Sequence, residues 1–99
     1  MKTERGLERK IETIKRALME LGDMRPGSLT VQRRKWGGQY YQLSYSLRGK
    51  GHTQYVSKQE RKRVERQTAN YKKFRKLTQE WVELAMELCR LKTTREVEK

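Results

Sequence analysis

The sequence predicts a mainly α-helical protein with a small β-hairpin: an antiparallel, coiled-coil-like hairpin of two helices with a two-stranded β-hairpin inserted between them. Three observations carry this expectation. Leucine-rich stripes at 4, 3, 4, 3 spacing occur near both ends of the 99-residue chain, and that spacing keeps apolar side chains on one side of a helix. A central stretch alternates apolar and polar residues with period two, the pattern of a half-buried strand. The single proline, Pro26, and most of the glycines lie between these blocks and not inside them, where turns need them.

The first helix is expected over residues 3–22, with Leu7, Ile11, Ile14, Leu18 and Leu21 as its seam. Thr3 is placed to cap its start and Gly22 to sit just past its end, ahead of the stop signal Arg25-Pro26-Gly27. Residues 23–39 read as a basic loop or extended arm around Arg33-Arg34-Lys35-Trp36. The β-hairpin is expected over 40–57, with Tyr41, Leu43, Tyr45 and Leu47 on one face and Arg48-Gly49-Lys50-Gly51 at the turn. A two-residue loop would pair Leu43 with Val56 and a three-residue loop Tyr45 with Tyr55, and the pattern leaves both open.

Ser57, followed three residues later by Glu60, forms a capping-box pattern that opens a long second helix over 58–91. Leu77, Trp81, Leu84, Leu88 and Leu91 supply a second seam to match the first. The first helix is too short to cover the second, so the basic N-terminal half of the long helix is left to carry the β-hairpin. Residues 92–99 are expected to be a flexible tail. All of this fits one domain spanning 1–99, with a thin core, since a chain this short buries only about 60 to 65% of its unfolded surface.

The net charge of +13 and a pI near 10.2 generate a field that concentrates polyanions. The excess is local. Residues 25–76 hold 15 Lys or Arg against Glu60 and Glu65, whereas residues 1–24 carry six basic and five acidic side chains and residues 77–99 four and five. Cys89 is the only cysteine and His52 the only histidine, so neither an internal disulfide nor a multi-cysteine zinc site can form. With no apolar run of membrane-spanning length and no signal-like stretch, the expectation is a cytoplasmic protein without membrane contact.

On a helical wheel Lys58, Arg61, Lys62, Arg66, Lys72, Lys73 and Lys76 fall within an arc of about 140°, with Val64, Tyr71 and Phe74 opposite. Such an arc can lie along phosphates, each cation displacing a condensed counterion; a plain solvated helix face shows the same pattern. Arg33, Arg34, Lys35, Arg48 and Lys50 extend the footprint. Trp36 and Tyr40, interleaved with cations, are candidates for base stacking, although aromatics at strand spacing also serve as core residues.

No catalytic set is visible. His52 has no nearby cysteine or carboxylate partner, Cys89 reads as a small hydrophobe, and Glu80, Glu83 and Glu87 read as a solvated helix face. The expectation is a protein that is not an enzyme and needs no cofactor or metal.

Arg25-Pro-Gly-Ser-Leu, the strand Tyr40-Tyr41-Gln-Leu-Ser-Tyr, the turn Arg48-Gly-Lys and the helix Ala69-Asn-Tyr-Lys-Lys-Phe-Arg with its leucine-rich continuation resemble a family of short bacterial and archaeal proteins of unknown function, often encoded near insertion-sequence transposases. The resemblance covers about residues 24–92. Many members carry a cysteine-rich knuckle suited to zinc between the Ser-Leu and Tyr-Tyr elements, where this chain has Val31-Gln-Arg-Arg-Lys-Trp-Gly-Gly. The resemblance implies a nucleic-acid context and brings no activity with it.

Together these readings predict a DNA-binding accessory protein of a mobile element. Two alternatives stand beside it. One is an RNA-binding protein, ribosome-associated or part of a ribonucleoprotein, since phosphate contacts alone do not separate DNA from RNA. The other is an oligomerisation or adaptor module, a homo-oligomer or protein partner joined through the leucine seams.

Overall fold

The computed structural model describes residues 3–97. In chain order the elements are α1 (Glu4–Met19), β1 (Ser28–Arg33), β2 (Gln39–Leu47), β3 (Lys50–Val56) and α2 (Arg61–Val97). They form two compact units, one of residues 1–21 with 73–99 and one of residues 22–72.

The first unit is the predicted pair of helices. Thr3 caps α1, its Oγ1 accepting from the Gly6 N–H at 3.0 Å. Leu7, Ile11 and Ile14 are buried, and the seam residues Leu77, Trp81, Leu84, Leu88 and Leu91 of α2 are half-buried. Two contacts fix the antiparallel sense. The Lys15 ammonium lies 5.3 Å from the centre of the Trp81 ring, and Arg95 donates to Glu4 at 2.8 Å.

Both helix ends differ from expectation. α1 stops at Met19 rather than at residue 22, because the Glu20 N–H turns to the carbonyls of Arg16 and Ala17 and the Leu21 N–H to that of Leu18, a tighter winding. Gly22 is therefore not the cap. α2 continues to Val97, so residues 92–97 are helical and not a tail. Thr93 and Thr94 bond back to the Cys89 and Arg90 carbonyls at 3.0 Å, and the Arg95–Glu4 pair ties this last stretch to α1. The remainder of the expected tail, residues 98 and 99, lies outside the described residues.

The second unit corrects the two-stranded expectation. Its sheet has three antiparallel strands in the order β1-β2-β3, and β1 occupies the middle of the supposed 23–39 arm. Ser28–Arg33 alternates in its own right, placing Leu29 opposite Leu43 and Thr30 opposite Gln42, so its backbone groups gain a ladder that a free arm would leave to water. Neither expected β2–β3 register occurs. The loop is the two residues Arg48-Gly49, which pairs Leu47 with Lys50, Tyr45 with His52 and Tyr41 with Val56. Both loop residues have positive φ, 54° at Arg48 and 80° at Gly49, as the tight hairpin turn that matches strand twist requires.

The inner face of the sheet packs on the start of α2. Leu43, Val56 and Val64 form the buried cluster, with Leu29, Tyr41 and Tyr45 against it, and Leu43 is 0% exposed. Ser57 caps a turn, accepting from the Glu60 N–H at 3.3 Å, and α2 itself begins only at Arg61, three residues later than expected. The entering chain is pinned along α2 by two bonds: the Arg25 N–H to the Gln67 carbonyl at 3.2 Å and Asn70 Nδ2 to the Asp23 carbonyl at 2.9 Å. Gly27 then lets the chain pass close against β2. Its φ is +129°, and a Cβ there would stand 2.7 Å from Leu43 Cδ1 and 2.8 Å from the Ser44 carbonyl oxygen.

Gly27→Ala is accordingly expected to destabilise the protein by about 2 kcal/mol or more, combining an unfavourable φ with a clash against backbone. Arg48→Asn should act the other way and stabilise by up to about 1 kcal/mol, because Asn tolerates the left-handed region better than Arg. Thermal unfolding followed by circular dichroism checks both.

Candidate functional site

The sheet unit contains no Asp or Glu between Asp23 and Glu60, while the same stretch holds Arg25, Arg33, Arg34, Lys35, Arg48, Lys50 and Lys58. Its cations divide by what positions them. Lys58, in the turn before α2, and Lys62, Arg66 and Lys72, on the helix, are exposed, and none takes part in an ion pair among the described residues. At 3.6 residues per turn Lys62 and Arg66 stand within about 20° of the direction opposite buried Val64, straight out from the sheet. Lys73 and Lys76, grouped with them on the sequence wheel, belong to the helical unit and are exposed there.

Arg61 is different. It is half-buried, donates to the Tyr41 hydroxyl at 3.1 Å, lies 5.3 Å from the Tyr41 ring centre and pairs with Glu65 at 3.2 Å. The hydrogen bond to Tyr41, and then the Glu65 carboxylate, raise its pKa above the ordinary arginine value. It fastens α2 to β2 and has little left for a ligand. The wheel placed it at the margin of the basic arc and gave no sign of this partner, since the contact depends on a strand 20 residues earlier.

Strand register sorts the remaining cations. β1 ends with Arg33 opposite Gln39, and the loop that follows is closed by Arg34 N–H to the Gly38 carbonyl at 3.1 Å and Gly37 N–H to the Arg34 carbonyl at 3.2 Å. Arg33, Arg34, Lys35 and Trp36 are exposed at this tip, Trp36 to 83%. Because Tyr41 pairs with Val56, the chain enters α2 at the same end of the sheet. The tip, Lys58 and the first turn of α2 therefore share one end. Arg48 and Lys50 lie at the other end of the nine-residue β2, about 30 Å away at 3.3 Å per residue, so the expected footprint is two separate basic regions and not one.

Two cations outside the predicted set belong with the helix. Arg63 is exposed on the flank of α2 and, with Arg25, Met24, Glu60, Val64 and Gln67, lines a recess; Arg63 and Arg66 line a second with Gly22, Asp23, Gln67 and Asn70. Arg63 falls outside the sequence arc, and Arg25 joins it only because the loop folds back along the helix. The helix start is also electrostatically adverse. The first turn of α2 has no acidic residue and begins Arg61-Lys62-Arg63, where the helix dipole favours negative charge, and Lys62 and Arg66 form a like-charged i,i+4 pair that costs about 0.2–0.5 kcal/mol.

Tyr40 is half-buried on the outer face of the sheet. The Arg34 guanidinium lies 5.2 Å from its ring centre, and the Tyr55 ring 6.3 Å away. His52 stacks on Tyr45 at 5.1 Å on the inner-face side.

In the helical unit, Glu87 pairs with Arg90 and Glu83 accepts from Gln79, while Lys10 lines one recess with Glu80, Glu83 and Glu87. Cys89 is exposed, beside Val82, Ala85 and Met86 on a stripe apart from the leucine seam. Among the described residues no three His, Cys, Asp or Glu side chains converge as a metal site, and no helix is long and apolar enough to cross a membrane. Comparison with family models, curated proteins and solved structures gives no match.

Because Arg61 has internal partners and Lys62 has no ion pair among the described residues, alanine substitution separates them. Arg61→Ala should lower Tm by roughly 5 °C, the size of one lost charged hydrogen bond in so small a protein. Lys62→Ala should leave Tm unchanged or slightly raised, as read by differential scanning calorimetry.

Proposed function

We propose that this chain is a nucleic-acid-binding accessory protein without catalytic activity, which holds the phosphate backbone of DNA through the start of α2 and the β1–β2 tip. The observation behind this reading is the uncompensated charge of that end. Lys58, Lys62, Arg63 and Arg66 are exposed and form no ion pair among the described residues, three of them oppose the helix dipole or each other, and Arg33, Arg34 and Lys35 lie at the same end of the unit. Local electrostatic rules broken with no internal gain mark positions kept for a ligand. A phosphate backbone is the ligand that repeated, unpaired cations fit best.

Arg48 and Lys50 at the far end, and Lys73 and Lys76 on the helical unit, add phosphate contacts of their own. The resemblance noted in the sequence makes a mobile element the proposed setting, with the cytoplasm as its place of action. RNA meets the same phosphate chemistry and is the rival ligand. A second reading, self-association or adaptor binding, rests on the stripe of Val82, Met86 and Cys89, which is exposed on α2 and not covered by the described residues.

With about five to eight phosphates engaged, log K for duplex DNA should fall against log salt with a slope of about −4 to −7. The double reversal Lys62→Glu/Arg66→Glu should flatten that slope by about 2 and weaken binding at least tenfold. Fluorescence anisotropy across a salt series, run in parallel on duplex DNA and structured RNA, checks this. A slope near zero, or reversed charges that change nothing while light scattering shows a defined oligomer, would transfer the function to the exposed stripe.

A further inference from the structure

We infer that the outer face of the β-sheet is a second binding surface, one that stacks unpaired bases of single-stranded nucleic acid on Tyr40 and Tyr55. This goes beyond phosphate binding by α2, since it concerns another face of the unit, different side chains and a different chemical group of the ligand.

The register defines the surface. Residues directly opposite one another share a face of a sheet, so Tyr40 lies with Gln32, and Gln42 lies between Thr30 and Tyr55. This face points away from Val64 and the buried cluster. On it Tyr55 is 61% exposed, and the Tyr40 and Tyr55 rings stand 6.3 Å apart with an interplanar angle of 32°. The Arg34 guanidinium extends the row at 5.2 Å from Tyr40, toward the tip that carries exposed Trp36. Planar guanidinium and aromatic rings are the two side-chain surfaces on which bases stack.

A core role does not account for these rings. Leu43, Val56 and Val64 close the core from the other face, and apart from Arg34 over Tyr40 the strand neighbours of the tyrosines on the outer face, Thr30, Gln32 and Gln42, are neutral hydrogen-bonding side chains. The surroundings select the ligand. A protein partner rich in apolar groups would find glutamine, threonine and serine here. A strand of nucleic acid finds rings for its bases, amides and hydroxyls for its base edges and sugars, and Arg33, Arg34 and Lys35 for its phosphates, with no carboxylate between Asp23 and Glu60 to repel it.

The test compares a short oligothymidylate with a duplex of equal length, using anisotropy on wild type, Tyr40→Leu/Tyr55→Leu, Tyr40→Phe/Tyr55→Phe and Lys62→Glu/Arg66→Glu. Circular dichroism confirms that each variant is folded. The leucine pair should weaken oligothymidylate binding by roughly tenfold or more, the loss of at least one base stack, and change duplex binding less than about twofold. The phenylalanine pair, which keeps the rings, should stay within about twofold of wild type on both. Oligothymidylate affinity that is unmoved in the folded leucine pair, or no single-strand binding by wild type, overturns the inference even if duplex binding still depends on Lys62 and Arg66. Loss in the phenylalanine pair equal to that in the leucine pair also overturns it, because hydroxyl contacts and not stacking would then be responsible.

Discussion

The burial of Leu43 and Val56 against Val64 is the contact on which the second unit depends. A three-stranded sheet this small cannot hold its shape in water with both faces wet, and the outer face, with Tyr55 61% exposed, stays open to solvent. The start of α2 supplies the missing layer. Once Val64 is committed to the sheet, helical periodicity decides the rest of that segment: Thr68 goes inward behind it, and Lys62 and Arg66 are turned outward. The outward direction of these cations thus follows from the same 3.6-residue repeat that makes the core, and Arg61 at their margin is drawn into the structure by Tyr41. Close passage at Gly27 and the two bonds from Gln67 and Asn70 complete the layer.

Much of this was legible in the sequence because it follows from local periodicity. The two leucine seams, the Thr3 cap, the alternation through Tyr41, Leu43 and Tyr45 and the concentration of cations all rest on spacing that any few turns of chain display. What was missed depended on longer range or on competing signals. Ser28 to Arg33 alternates like a strand, but Pro26 and Gly27 before it and the basic run after it gave a stronger loop signal, and only the free edge of β2 makes it a strand. The β2–β3 register escaped because the glycines at 49 and 51 suggested a turn centred one residue later. The actual turn puts Arg48 in a left-handed conformation that propensity disfavours and pairing imposes. The leucine seam ends at Leu91 and gives no sign of the last helical residues, where Thr93 and Thr94 bond to carbonyls four residues back and Arg95 reaches Glu4.

The candidate site was readable as a set of residues and not as an arrangement. Linear counting put Arg33 to Lys35, Arg48, Lys50 and the helix cations in one footprint. Strand direction separates them, sending the first group to the end where α2 begins and Arg48 and Lys50 to the other. The expected footprint also leaves out Arg63 and Arg25, which become neighbours only through the fold-back of the chain along the helix, and Tyr55, whose partnership with Tyr40 exists only across the β2–β3 ladder. The aromatic pair and the cationic helix face thus occupy opposite sides of one thin unit.

The lack of any carboxylate from residue 24 to residue 59 has a consequence for folding itself. A chain segment with seven positive charges and no negative one repels itself when it condenses into a three-stranded sheet; Asp23, Glu60 and Glu65 beside it offset part of that charge, and ions drawn from solution relieve the rest. The native population of this half of the molecule therefore rises with ionic strength, and a polyanion that binds only the folded form raises it further by mass action. In dilute buffer the sheet unit stands nearest its own unfolding, and what completes its charge balance comes from outside the chain.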